Sequence, residues 1–399
     1  MTKKIHNHAI DLDSQTQEQF KSCYSEPFVL SSALMPDAHS GYVAPIGSVF
    51  ITSGFVVPAW VGYDIGCGVI AIRISSKNIL EKIQKNKDKI FKEINSAIPI
   101  GLSKYSSEEN ISEKTKLQFE NLLNQLKEKP HDKSIFQYIK SVGLRNLGTL
   151  GSGNHFIELD YDKGSKDSAW LVIHSGSRGL GHKVAKKYMI KSSQSQSDFE
   201  TTAPLDIKSQ LGKEYLAILD FCLEYALLNR LEMANTFLSV LQKTLKIKIK
   251  SQLWVNKNHN HAVPWKKSKT KFIHRKGATP AEKNERGVIP GNMRDGSFLV
   301  LGLGNPKFLN SSTHGAGRAM SRTQARQLIS LPEFKSEMKG ITANVSQSTL
   351  DEAPMAYKDI FKVMKAQEKS VKIYKHLLPL INWKGESSRA PIEINTFSN

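Results

Sequence analysis

The sequence predicts an α+β protein, a single β-rich core that carries a site, with helices at its periphery. Three observations carry this reading. Short Val- and Ile-rich apolar runs end at glycine turns, as buried strands do, most clearly across residues 148–182. Two stretches, 77–131 and 210–249, place Leu and Ile at helical spacing among polar residues. Histidines, aspartates and a cysteine recur where the apolar runs meet the glycines, with rigid backbone behind and flexible backbone in front.

Composition narrows the class. A length of 399 residues leaves the number of domains open, and 39% hydrophobic residues suffice for a sizeable core. No apolar run approaches the roughly 18 residues of a membrane span. The start, MTKKIHNHAIDLD, lacks the features of a signal peptide. Cys23, Cys67 and Cys222 are odd in number and far apart, against a disulfide framework and for a reducing, cytoplasmic setting. A soluble protein with no membrane partner is expected. The net charge of +19 and pI near 9.6 point to a polyanion, ordinarily nucleic acid. Solvated lysines are the plainer explanation. Residues 257–286, however, hold nine Lys/Arg against two Glu, with Trp265 and Phe272 among them. That stretch surrounds His274, so phosphate binding is favoured.

Taken in order, residues 28–74 read as buried strands and tight loops. Asp37 and His39 lie in the Pro/Gly-rich loop of LMPDAHSGYVAPIGSVF, and Asp64 and Cys67 share a Gly-flanked turn in VGYDIGCGVI. Residues 77–131 read as two or three amphipathic helices, a peripheral insertion. In 148–182, Asn154-His155 opens one apolar run, and Ala169–Ile173 delivers His174 into the loop Ser175-Gly176-Ser177-Arg178-Gly179. The long helical pattern of 210–249 carries an apolar stripe that belongs to a core rather than a cofactor box. Trp254-Val255 leads to His259-Asn260, and Lys271-Phe272-Ile273 delivers His274 into Arg275-Lys276-Gly277. Then GVIPGNMRDGSFLVLGLGN reads as a turn followed by a strand. His314-Gly315-Ala316-Gly317-Arg318 reads as the opening of a helix, whose free N–H groups suit a phosphate. The apolar run LLPLINWKG, 377–385, and a polar tail, 386–399, expected to be loose, close the chain. No internal repeat appears.

Asp64, Cys67, His155, His174 and His274 form the candidate ligand set. One such histidine is more often a core residue bonded to a carbonyl; repetition of the placement favours a site. A thiolate, three imidazoles and a carboxylate suit one or two transition metals, and softness alone points to zinc. Beside them stand His314 and the basic Arg178, Arg275, Lys276 and Arg318. Metals, phosphate-friendly loops and a free histidine suggest phosphoryl or nucleotidyl transfer through a phosphoramidate.

The motifs DIGCG, GSGNHF, HSGSRGLGH, HRKGAT and HGAGRAMSR together resemble the RtcB-type RNA ligases, over residues 35–385. The resemblance implies one ligase domain over 1–385, GTP, and two Mn²⁺ ions in place of zinc. It implies that Cys67 bridges the ions, with Asp64 and His155 on one and His174 and His274 on the other. His314 would attack the α-phosphorus of GTP. The substrates implied are RNAs with 2′,3′-cyclic phosphate or 3′-phosphate ends and 5′-hydroxyl ends, from tRNA or damaged RNA. The enzyme would act as a monomer, with an accessory factor as a further candidate partner. Glu158, Ser297 and Lys384 would read guanine, with Ala316 and Gly317 beside the nucleotide and Asn154, Arg178 and Arg318 near the phosphates. His259-Asn260 matches a further motif without an assigned role. Two departures stand out: PGNMRDGS places Asn292 and Arg294 where small residues are usual beside the nucleotide, and Gly47-Ser48-Val49 replaces GGV. Both resemble a divergent bacterial repair branch. Rival readings on the same fold are an RNA-binding protein without catalysis and a metal-dependent cyclic phosphodiesterase.

Overall fold

The computed structural model describes residues 3–101 and 104–385; the expected loose tail lies outside them. In chain order, β1 (Lys4–Asn7) and α1 (Ser14–Ser25) precede β2 (Val29–His39), β3 (Ile46–Ser53), β4 (Phe55–Val56), the single turn α2 (Pro58–Val61) and β5 (Gly68–Ser75). Helices α3 (Ile79–Lys85), α4 (Lys87–Ala97), α5 (Glu113–Lys127) and α6 (Lys133–Asn146) follow. Then come β6 (Phe156–Tyr161), β7 (Ser168–Ser175), α7 (Arg178–Ser193), β8 (Leu205–Asp206) and α8 (Gln210–Leu245). The remainder is strand-rich: β9 (Lys250–Asn258), β10 (Asn260–Pro264), β11 (Lys271–Lys276), β12 (Ala278–Pro280), β13 (Arg286–Pro290), β14 (Ser297–Gly302) and β15 (Ser311–Thr313). Helices α9 (Arg322–Leu328) and α10 (Leu331–Glu337), strand β16 (Thr342–Ala343), helix α11 (Ile360–Ala366) and the long β17 (Val371–Lys384) complete it. The fold is α+β, one large domain around a sheet-rich core, as the sequence predicts. Among the described residues no helix is long and apolar enough to cross a membrane.

The larger sheet has the order β13-β14-β17-β6-β7-β5-β9, with β16 added to β17; the smaller has β1-β2-β3-β11-β10. The central strands β5, β6 and β7 are buried on both faces, which is why they read as continuous apolar runs rather than alternating ones. On one face Ile70, Ile72, Ile157, Leu171 and Ile173 pack against Ile90 and Ile94 of α4 and Met233 and Phe237 of α8. On the other, Val69, Ala71, Val172 and Val255 meet Val288, Leu299 and Leu377. Each of these side chains larger than alanine contributes about 1.5–3 kcal/mol on burial. The sheet curls until its two edges approach. Trp254 Nε1 donates to the Gly287 carbonyl at 3.1 Å and Lys257 Nζ to the Arg286 carbonyl at 2.8 Å.

Register decides where the site falls. Lys384 pairs with Phe156, Phe156 with His174, His174 with Val69, and Val69 with Lys257. One row across the sheet thus aligns the starts of β5 and β6 with the ends of β7, β9 and β17. Helix α8, capped at its start by Ser209 Oγ on the Gly212 N–H, locks this end in place. Its wholly buried Arg230 donates to the carbonyls of Gly66 and Ser175 at 3.0 and 2.8 Å, and to Asn256 and Asn258 Oδ1 at 2.7 Å each. The stripe of this helix is core, with a polar clamp inside it.

Two local expectations are corrected. No helix opens at His314-Gly315; α9 begins at Arg322, where Ser321 and Gln324 form a capping box. Residues 314–321 turn instead. Gly317, at φ +74°, lies so close to the backbone of Asp37 that a Cβ there would sit 2.2 Å from its carbonyl oxygen. Nor does a strand end at His274: β11 continues through Lys276, paired with β3 and β10.

Candidate active site

The turn between α2 and β5 presents Asp64 and Cys67 at the aligned end of the larger sheet. The segment that joins β9 to β10 is stapled to it. His259 N–H donates to the Cys67 carbonyl at 2.7 Å, Gly66 N–H to the Asn260 carbonyl at 2.9 Å, and Asn260 Nδ2 to the Asp64 carbonyl at 3.1 Å. His174 arrives from the end of β7 and His155 from the residue before β6.

These side chains make two groups able to hold a metal ion, Asp64–Cys67–His155 and Cys67–His174–His259, with the ligand atoms of each within 4.8 Å of one another. Cys67 Sγ belongs to both. It lies 3.5 Å from His155 Nε2 and 3.1 Å from His174 Nε2; Asp64 Oδ2 is 2.9 Å from His155 Nε2. Backbone carbonyls set the tautomers. His155 Nδ1 faces the Leu150 carbonyl at 3.0 Å and His174 Nδ1 the Asn154 carbonyl at 3.2 Å, so both Nε2 atoms turn lone pairs inward. His174 Nε2 and His259 Nε2 lie only 3.3 Å apart. Burial, then neighbouring cationic and imidazole groups, hold the pKa of both rings well below the ordinary histidine value, so they are neutral. At that distance the His174 Nε2 lone pair can take the N–H of His259 or share a cation with it. The donor set therefore fits transition metals. Burial, then Asp64, pushes the Cys67 thiol well above its usual range. For Asp64 itself burial acts upward, but His155 and Cys67 hold the carboxyl low.

His259 takes the place that the sequence suggested for His274. His274 Nε2 accepts the Val57 N–H at 3.0 Å and its ring packs on Trp60, with centroids 5.7 Å apart. The reason is register: Lys276 lines the cavity, and His274 lies two residues further back on the same face of β11, roughly 7 Å away. The signal for His259 was its position one residue past a β run, beside Asn260.

His314 lies against this cluster, its ring centroid 4.9 Å from that of His259. Its Nδ1 donates to Asp37 Oδ2 at 2.7 Å, and Asp37 is wholly buried. Nε2 is then the free nitrogen, on a side chain 14% exposed. Asp37, expected in a loop, lies instead near the end of β2, and only the fold brings it under His314.

A cavity of about 650 Å³ opens from the cluster, lined among others by Asn154, Glu158, Lys276, Asn292, Ala316, Gly317, Arg318 and Lys384. Glu158, held by Asn382 Nδ2 at 3.0 Å and Ser297 Oγ at 3.4 Å, forms one wall; Ser297 stands behind it, outside the lining. Burial raises the Glu158 carboxyl above the usual range. Lys384 reaches Glu352 at 2.8 Å, and the same carboxylate receives Arg322 at 2.5 Å and Arg318 at 3.3 Å. Burial pulls Lys276 down to about 8, its Nζ donating to the Ala44 carbonyl at 2.8 Å.

Other expected residues fall elsewhere. Arg275 is buried on the opposite face of β11, bonded to Ser311 Oγ at 2.8 Å and His261 Nε2 at 3.2 Å, and does not reach the cavity. Arg178, outside the lining, donates to Thr149 Oγ1 at 2.8 Å. Of the residues that depart in PGNMRDGS, Asn292 accepts the Arg294 and Asp295 N–H groups within its own turn, and Arg294 is drawn off to Asp295 and Glu337.

The chain is similar in sequence to known proteins. The profile of the family described as "tRNA-splicing ligase RtcB" matches residues 19–385. The "RNA-splicing ligase RtcB" of Escherichia coli (strain K12) is 30% identical, the alignment covering 96% of this chain and 97% of that one. The "tRNA-splicing ligase RtcB" of Nanoarchaeum equitans is 30% identical over 83% of each chain. The "RNA-splicing ligase RtcB homolog 1" of Entamoeba dispar is 30% identical over 90% of this chain and 80% of its own.

Proposed function

The chain belongs to the RtcB family and so is an RNA ligase of tRNA splicing or RNA repair, and from this premise we propose that it joins RNA through a guanylylated His314, using GTP and two Mn²⁺ ions. The observation that carries the reading is the buried Asp37 under His314 Nδ1, which leaves Nε2 as the nucleophile beside the metal-binding cluster. Asp64, Cys67 and His155 would hold one ion, and Cys67, His174 and His259 the other. When bound, the ions would neutralise phosphate charge and orient the displacement. The cluster by itself accepts zinc as readily; manganese is what the family resemblance implies.

Each step is a displacement at phosphorus. His314 Nε2 attacks the α-phosphorus of GTP, the bond to the β-phosphate oxygen breaks, and pyrophosphate leaves. An RNA 3′-phosphate oxygen then attacks the same phosphorus and releases the imidazole; a 2′,3′-cyclic end is first opened by water to that 3′-phosphate. Finally the 5′-hydroxyl of the second RNA attacks the 3′-phosphate phosphorus and GMP departs. Asp37 balances the charge that forms on the His314 ring. Glu158, as carboxylate, accepts from guanine N1–H and the exocyclic amine, which adenine cannot offer. Lys384, Arg318 and Arg322, gathered by Glu352, face the nucleotide, with Ala316 and Gly317 leaving room for it. The three unpaired cysteines fit a cytoplasmic protein.

The test is incubation with α-labelled GTP under Mn²⁺, Zn²⁺ or Mg²⁺. An acid-labile, alkali-stable label is expected on the native chain and none on His314→Ala. No label under any of the three ions overturns the histidine route.

A further inference from the structure

A second concavity, about 310 Å³, lies at the far end of the same curled sheet, where its two edges meet. Arg73 on its floor is five residues along β5 from Gly68, roughly 17 Å from the metal-binding turn. The apolar cluster of Val69, Val172, Val255 and Leu299 fills the space between, so the groove is separate from the cavity. Its wall is an aromatic stack. Tyr374 lies on Trp254 with ring centroids 4.8 Å apart and planes within 16°, and the Arg286 guanidinium covers Trp254 at 4.5 Å. Trp254 is fixed, through Nε1 on the Gly287 carbonyl and an edge contact with Trp170. Tyr374 is 52% exposed, with Lys375 Nζ 5.9 Å from its ring centroid.

The lining contributes Arg73, Arg286 and Lys375 and no carboxylate. Lys375 is partly answered by Asp162 at 3.3 Å; neither arginine has an ion pair among the described residues. A partly exposed aromatic stack in a groove lined by guanidinium groups without ion pairs is complementary to a chain of alternating flat bases and phosphates. Paired RNA does not offer its bases for stacking, and an apolar peptide would leave the cations unanswered.

We propose that this groove binds an unpaired segment of the substrate RNA, away from the reacting ends, with a base on Tyr374 and phosphates on Arg73 and Arg286. The proposal rests on RNA as substrate, and the experiment separates the two. Anisotropy of a short oligouridylate with 5′-phosphate and 3′-hydroxyl ends, which cannot be joined, reports the groove. Joining of reactive ends on minimal RNAs reports the ligase.

Tyr374→Ala is expected to weaken oligouridylate binding by about 5-fold or more, and Tyr374→Phe to restore it. Arg73→Glu with Arg286→Glu is expected to weaken it further and to lower the salt slope by roughly 1.4, about 0.7 per phosphate contact. On long-armed RNAs all but the Phe variant should raise KM and leave kcat alone; on minimal RNAs none should change either. Affinity within twofold of native for Tyr374→Ala overturns the proposal, even if charge reversal weakens binding. Equal competition by polyglutamate also overturns it. Loss of joining in the native chain with groove binding intact would instead count against the ligase reading.

Discussion

His314 Nδ1 and Asp37 Oδ2 are 2.7 Å apart, and the second carboxylate oxygen of Asp37 is buried with no hydrogen-bond partner among the described residues. The side-chain hydrogen bonding of Asp37 is thus directed at one imidazole nitrogen. Asp37→Asn keeps the shape but lets the ring take the other tautomer, with the proton on Nε2. Guanylylation is expected to fall by about 10³-fold or more. Single-turnover labelling with α-labelled GTP measures it, and an unchanged far-ultraviolet circular dichroism spectrum shows that folding is not the cause.

His259 and His274 should separate cleanly. His259→Ala removes one ligand from the Cys67–His174 group, so bound metal should drop from two ions per chain toward one, with joining abolished. His274→Ala leaves the Val57 N–H without its acceptor and a gap against Trp60, costing about 1–3 kcal/mol of stability. Its metal stoichiometry should stay native. Elemental analysis of the dialysed variants, with thermal denaturation alongside, distinguishes the two positions.

Glu158 and Asp160 lie on one face of β6, and burial raises both carboxyls, Glu158 in turn raising Asp160. A raised carboxyl means that the folded chain binds protons the unfolded chain has already released. Its stability contribution is whole below the ordinary Glu value of about 4.3 and is lost as pH rises through the folded value. Without nucleotide, the melting temperature should fall as pH rises from mildly acid toward neutral, and Glu158→Gln should flatten that slope. GTP affinity should move the opposite way, rising with pH as the carboxylate forms. A flat GTP affinity across this range would remove Glu158 from base recognition.

Glu352 presents the opposite sign. Burial acts upward on its carboxyl, but Lys384, Arg322 and Arg318 together hold it far below the usual range. Its contribution is present above about pH 4.3 and is lost on acidification. Glu352→Gln leaves these cations under-compensated at the cavity wall, an expected loss of about 3–5 kcal/mol. Denaturant unfolding at neutral pH measures it; a loss under 1 kcal/mol would mean that solvent already answers the three charges.

Much of this site was legible because chemistry-bearing residues sit where apolar runs meet glycines. Asp64, Cys67, His155 and His174 follow that rule and converge. His259 and His274 follow it equally well in sequence, since each closes a short β run. Only the pairing of β11 with β3 and β10 shows that one strand runs on past its histidine and the other stops. Asp37 was hidden for a related reason: 277 residues separate it from His314. The helix expected at Gly315 fails on backbone geometry. Gly317 must pass against Asp37, and the real start was written two turns later as Ser321-Arg322-Thr323-Gln324.

Cys67 Sγ is common to both groups able to hold a metal ion, so two ions bound as proposed would have linked occupancies. Deprotonating Cys67 costs free energy once, at the first loading event, and the partner site then meets a thiolate already formed. Uptake should be sigmoidal in free metal, with half-loaded molecules scarce. By the same logic a single oxidised atom, Cys67 Sγ, would empty the whole centre at one stroke.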